Sequence, residues 1–226
     1  MGDAAVIFDV DGVLLHLTPE EENAFFWPFE KLYGLTGLSR DWDSYRIRND
    51  ADIIAEILEH HLGRPSTEAE NGTIVSAYLI RWNEELQAGN LMPAEIPGAR
   101  ELLAELVSMS ATIGIATANL REAARLRLNR LGLWNFVEGL AHGADGGGAK
   151  REVVARTISA SGLPKHRIVY VGDNLNDVEA GLGNGVHFIG FAADPSRGER
   201  LRRAGARVVS GNHRDTLQHI RNQLAI

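Results

Sequence analysis

The stretch that most constrains this chain is Ala4-Ala5-Val6-Ile7-Phe8-Asp9-Val10-Asp11-Gly12. Val6, Ile7 and Phe8 have the bulk and β-preference of a strand buried on both faces. Such a strand belongs inside a sheet covered by helices on either side, which points to a parallel α/β architecture. The run then ends abruptly in two carboxylates. Asp9 and Asp11 are two residues apart, so on an extended backbone they point to the same side. Burying them together unpaired is costly. A divalent cation relieves that repulsion, and Mg²⁺ suits oxygen ligands. Gly12 lets the chain turn sharply away.

Behind this strand the texture changes. Thr18-Pro19-Glu20-Glu21 reads as a helix start, with Thr18 as N-cap, Pro19 in the first turn and Glu21 closing a capping box. Pro28 is expected to kink or restart that helix. Further helices fit Asp50 to Leu62 and Thr67 to Gln87, the latter weakened by Gly72. Nothing between Leu17 and Gly89 reads as a strand. From Ile96 onward, strands and helices alternate: strands at 111–117, near Phe136-Val137, at 167–171, 186–190 and 206–209, with helices between them. The expected fold is α/β, a doubly wound parallel-sheet (Rossmann-like) core with an inserted α-helical cap domain. The core is placed at residues 1–16 and 90–226, the cap at 17–89. In such sheets, ligands bind at the carboxyl ends of the strands.

Composition excludes several classes. The formal charge of −7 argues against a general nucleic-acid or anionic-membrane binder. There are no cysteines, so disulfides and thiolate chemistry are ruled out. No apolar run approaches the roughly 20 residues that span a bilayer. Met1-Gly2-Asp3 lacks a basic start and a cleavable apolar segment, so a cytoplasmic location is the expectation.

Polar residues recur at successive strand ends: Asp9 and Asp11, then Thr117 and Asn119, then Asp173, Asn174 and Asp177, with Lys150 after a glycine-rich loop. Together they suit phosphoryl transfer. One carboxylate can attack phosphorus and a second can move protons. A Mg²⁺ held by carboxylates neutralises charge, and a hydroxyl and a lysine can bind phosphate oxygens.

Asp9-Val10-Asp11-Gly12-Val13, Thr117, Lys150 and Gly172-Asp173-Asn174-Leu175-Asn176-Asp177 resemble, in order and spacing, the four motifs of the haloacid dehalogenase-like hydrolase superfamily. The helical block is placed like that superfamily's helical cap, and the end of the chain is similar to phosphoglycolate phosphatase-like members. The resemblance implies Asp9 as nucleophile and Asp11 as general acid/base. It implies phosphate binding by Thr117 and Lys150, and Mg²⁺ held by Asp9, the backbone carbonyl of Asp11, and Asp173. Asp177 would support Lys150. An acid at position 11 is absent from the dehalogenase and phosphonatase branches, so Asp11 favours phosphate esters. Val13, His16 and the Arg151-Glu152 pair after Lys150 depart from the common pattern and leave the substrate open.

Other residues admit two readings. Asn119 is either the N-cap of the helix from Leu120 or a phosphate-side group. Arg121, Arg125, Arg127 and Arg130 read most simply as a solvated helix face. Trp27, Trp42 and Trp82 read as cap core before substrate platform. Arg46, Arg48 and Trp27 are possible cavity-lining residues. His60 and His61 lack further metal ligands. Gly181 to Gly185 precedes a strand, so it is no dinucleotide loop. Gly143 to Lys150 lacks the ending of a nucleotide-triphosphate loop.

The expected activity is hydrolysis of a small phosphorylated metabolite through an aspartyl-phosphate, by a monomer or homodimer. One alternative is a sugar phosphomutase of the same superfamily. Those carry an acidic residue and a histidine where His16 and Glu21 stand here. Another is a non-catalytic phospho-acceptor module, which would be shorter and without a helical insert.

Overall fold

The computed structural model describes residues 2–224. The strands are β1 (Ala5–Phe8), β2 (Leu15–His16), β3 (Ala94–Glu95), β4 (Thr112–Ala116), β5 (Ala141–His142), β6 (Ile168–Gly172), β7 (His187–Phe191) and β8 (Val208–Ser210). Six of them form one parallel sheet in the order β5-β4-β1-β6-β7-β8. β1 is buried at all four positions, as its apolar run demands. Alternation along it feeds two separate cores. Val6 and Phe8 pack with Leu102, Leu103, Leu106, Ile220 and Leu224 on one face. Ala5 and Ile7 pack with Val153, Val154, Ile158 and Val178 on the other.

The helices supplying those faces are, in chain order, α1 (Pro19–Tyr33), α2 (Asp50–Leu62), α3 (Glu68–Ala88), α4 (Ala99–Ser108), α5 (Arg121–Arg130), α6 (Trp134–Val137), α7 (Lys150–Ser161), α8 (Leu175–Asn184), α9 (Pro195–Arg203) and α10 (His213–Leu224). Helices α1 to α3 build a third core of Phe25, Phe26, Phe29, Ile53, Ile54, Ile74, Tyr78 and Trp82, with Leu120 and Ala123 pressed against it. The capping box at Thr18 and Glu21 forms. Pro28 neither ends nor restarts α1, and Gly72 does not interrupt α3. Burial of the aromatic face outweighs the local preference of each.

One local expectation fails, and one element is new. The stretch around Phe136-Val137 is the short helix α6, and the strand comes later, at Ala141–His142. Trp134 and Val137 are three apart, so one helical turn buries both in the same core. The antiparallel ribbon of β2 with β3 was also not expected. It pairs Leu15 with Glu95 and His16 with Ala94, where the chain leaves and re-enters the sheet region.

Candidate active site

β1 is flanked by β4 on one side and β6 on the other, and the loops leaving these strands open a crevice at their carboxyl ends. The motif residues converge there. Asp9, 8% exposed, has its Oδ1 capped by the Val10 N–H at 2.7 Å and paired with the Lys150 ammonium at 2.7 Å. Lys150, at the start of α7, also reaches Asp177 Oδ1 at 3.3 Å. Asp177 is fixed in turn by the Tyr170 hydroxyl at 2.6 Å and by the N–H groups of Asp173 at 3.2 Å and Asn174 at 3.0 Å. Its oxygens are therefore committed, and it anchors the lysine. Asp173 pairs with Arg197 of α9. Thr117 is buried and accepts the Asn119 N–H at 3.1 Å.

Electrostatics follow from this crowding. Burial pushes Asp9 up to about 8; Lys150 opposes the rise, while Asp177 and Asp173 add to it. Burial and Asp177 push Asp173 up to about 7 against Arg197 and Lys150. Burial alone would lower Lys150, but Asp177 and Asp9 carry it up to about 12. The site thus has more negative charge than its own cations balance. Carboxylate oxygens of Asp9, Asp173 and Asp177 lie within 4.8 Å of one another. Gly12 leaves room beside them: at its φ of +73°, a Cβ would stand 1.8 Å from Asp173 Oδ2. An excess of hard oxygen donors around a glycine-cleared space fits a divalent cation such as Mg²⁺. The carboxylate of Asp11, by contrast, turns to the buried guanidinium of Arg127, 2.6 Å from Oδ1.

Three sequence readings are corrected here. Asn119 is not a helix cap. The cap position is Leu120, which offers no side-chain acceptor, and its N–H goes instead to Asp50 Oδ2 at 2.8 Å. The Asn119 oxygen faces Thr117 at 3.2 Å and Arg127 at 3.3 Å. Arg127 is not on a solvated face; it is 2% exposed. The signal was its phase: Ala123, Ala124, Arg127 and Leu128 share the buried side of α5. Trp42 and Trp82 belong to the helical core and also line the crevice, whereas Trp27 lies in a separate hollow with Arg81.

The helical block roofs the crevice. A cavity of about 310 Å³ lies between the motif residues and Glu21, Phe25, Trp42, Arg48, Asp50, Tyr78 and Trp82. Arg46 does not line it and pairs with Glu56 and Glu59. The roof is fastened at the start of α2. The Asp50 N–H donates to Ala118 O at 3.0 Å, Asn49 Nδ2 to Gly148 O at 2.8 Å, and the Gly148 N–H to Asp52 Oδ2 at 2.7 Å. Asp50, Glu21 and Arg197 were not singled out as site residues; Glu21 was absorbed by its capping role.

A parallel α/β sheet with a buried aspartate, a lysine and an acidic pair at its carboxyl edge, roofed by helices, defines a class of hydrolytic enzyme sites. The comparisons give the family. A model described as haloacid dehalogenase-like hydrolase matches residues 6–191, and the chain belongs to that family. It is 33% identical over 96 residues to a phosphoglycolate phosphatase of Synechococcus elongatus, covering 42% of this chain and 45% of that one. The match thus spans less than half the length of that relative. Among solved structures, CbbY from Rhodobacter sphaeroides in complex with phosphate superposes with a TM-score of 0.74 at 20% identity, covering 94% of this chain and 95% of that one. A hydrolase from Pseudomonas syringae gives 0.70 at 20% identity, covering 97% and 98%. At such identities these structures establish the fold. No helix among the described residues is long and apolar enough to cross a membrane.

Proposed function

We propose that this protein is a Mg²⁺-dependent phosphatase that hydrolyses a small phosphate monoester through a phosphorylated Asp9. The observation that carries the reading is Asp9 itself: buried, held by Lys150 and a backbone N–H, and open to a roofed cavity beside a second carboxylate. The Asp9 carboxylate attacks phosphorus while the ester P–O bond breaks, and Asp11 supplies the proton that the leaving oxygen takes. Water then attacks the acyl-phosphate, Asp11 takes its proton, and inorganic phosphate leaves with Asp9 restored. Lys150 and Thr117 hold the non-bridging oxygens, with Asn119 orienting the Thr117 hydroxyl. Asp9, the Asp11 carbonyl and Asp173 would hold the cation, which would supply positive charge to the nucleophile and the phosphate. Residues 17–89 act as a cap that excludes water and selects the leaving group.

A phosphomutase reading finds less support. Glu21, at one of the two positions that distinguish such enzymes, is fully occupied by Arg127 and Thr18. The test is phosphate release from 4-nitrophenyl phosphate with and without Mg²⁺. Mg²⁺-dependent release by the wild type and none by Asp9→Asn is expected. Equal release by the variant would overturn the reading, as would an isomerised sugar phosphate without phosphate release.

A further inference from the structure

Arg127 is the one buried guanidinium in the described core that touches a motif carboxylate. Its Nε and Nη2 donate to the two oxygens of Glu21, both at 3.1 Å. Nη2 also donates to His16 O at 3.1 Å and lies 2.6 Å from Asp11 Oδ1. Glu21 is itself fully buried, on α1, and its Oε2 accepts the Thr18 N–H at 2.8 Å. Burying charges is costly unless each is paired and hydrogen-bonded. Here two acids share one guanidinium, and they come from different parts of the fold. Glu21 belongs to the helical roof, Asp11 to the strand end, and Arg127 to the helix behind Thr117.

The contact with Asp11 is one-sided. Oδ1 is buried and meets no hydrogen bond of good geometry, so the attraction to Nη2 is ionic. The Asp11 side chain is nevertheless 26% exposed and lines the cavity, so its exposure lies with the rest of the carboxyl group. A group that gives a proton and then takes one back must be fixed in place. A guanidinium bonded to Asp11 alone would be free to swing with it. One already bonded in a fork to Glu21 is fixed in orientation and only partly available.

We propose that Arg127 positions Asp11 for proton transfer, and that Glu21, by sharing the guanidinium, ties that positioning to helix α1. The inference rests on the phosphatase reading above. The proton moves from the Asp11 carboxyl to the ester oxygen as the P–O bond breaks. Arg127 also lines the cavity, and the role assigned to it runs through Asp11.

The test compares two esters of similar shape. Phenyl phosphate releases phenolate, which is a strong base with a conjugate pKa of about 10 and needs a proton. 4-Nitrophenyl phosphate releases a much weaker base and needs none. The readout is the ratio of kcat/KM for phenyl over 4-nitrophenyl phosphate, which does not depend on how much of a variant is folded. Arg127→Met is expected to lower this ratio about 30- to 100-fold, in the same direction as Asp11→Asn and at or below the lower end of the roughly 10²–10⁴-fold that general acid catalysis supplies. Glu21→Gln leaves the guanidinium to Asp11 alone and is expected to lower the ratio about 10-fold. Equal losses on both substrates, or an unchanged ratio, would overturn the role of Arg127. A lowered ratio in Arg127→Met with an unchanged one in Glu21→Gln would overturn the tie to α1. If the wild type shows no Asp9-dependent turnover, the phosphatase reading fails and takes this inference with it. If it does and the ratio stays fixed, the inference alone fails.

Discussion

Gly12 sits at φ +73° with no room for a methyl group: a Cβ there would lie 1.8 Å from Asp173 Oδ2 and 2.4 Å from its Cγ. Only glycine adopts that backbone freely, and only glycine leaves the carboxylate where it is. Gly12→Ala is therefore expected to cost about 1–2 kcal/mol from backbone alone. It should also displace Asp173 and abolish the thermal shift caused by Mg²⁺. Differential scanning fluorimetry with and without the cation checks both, and an undiminished Mg²⁺ shift would contradict the placement of the site. His213 offers a second residue-scale prediction. Its Nε2 donates to Val13 O at 2.9 Å, its ring stacks on Phe191 at 4.5 Å, and its buried Nδ1 has no partner. Burial holds this imidazole down at about 4, against the hydrogen bond it donates to Val13 O. The folded state thus resists a proton that the unfolded chain accepts near 6.5. The associated stability is fully present above pH 6.5 and is lost as pH falls toward 4. Between pH 7 and 5, wild type should lose roughly 2 kcal/mol more than His213→Gln, read from urea midpoints.

At the scale of elements, the start of α2 is the fastening between roof and sheet. Asn49 caps α2 through the Asp52 N–H at 2.9 Å while also donating to Gly148 O, in the loop that leads to Lys150. Asn49→Ala should cost about 1 kcal/mol as a lost cap. It should also raise hydrogen exchange in the 143–149 loop, a response that a simple cap would not give. This fastening could not be read from the sequence, because its partners are 68 to 99 residues apart and several are backbone atoms. What was legible is what depends on local chemistry. The strand before Asp9, the capping box at Thr18, and α2 from Asp50 to Leu62 follow from nearby residues. The motif carboxylates were legible because strand ends must share one edge of a parallel sheet. Arg127 was misread because a charged residue on a polar helix was taken as solvated, although its phase with Ala123 and Ala124 placed it inside. The cap alternative for Asn119 and the strand expected at Phe136-Val137 fail where a distant group, Asp50 or the core, outweighs local preference.

At the scale of the whole molecule, the acidic centre should link stability to pH and, on the proposed function, to Mg²⁺. Asp9 and Asp173 are raised to about 8 and about 7, above the 3.8 of an unfolded aspartate. The metal-free folded state therefore binds extra protons, and its stability falls as pH rises from about 4 to 8. On the proposed function, Mg²⁺ would replace those protons. Saturating Mg²⁺ should raise the thermal midpoint by roughly 5–10 °C at pH 8 and by much less at pH 5. A shift independent of pH would contradict the charge balance described for the site. The central claim, that phosphorus is transferred to Asp9, is tested most directly by trapping the intermediate. In Asp11→Asn the acyl-phosphate should form from 4-nitrophenyl phosphate, whose leaving group needs no proton, and then hydrolyse slowly. Rapid acid quench and peptide mass spectrometry should find one phosphoryl group on the peptide containing Asp9, and none when Asp9→Asn is added. Turnover without a phosphorylated Asp9, or a phosphoryl group on another residue, would contradict the account.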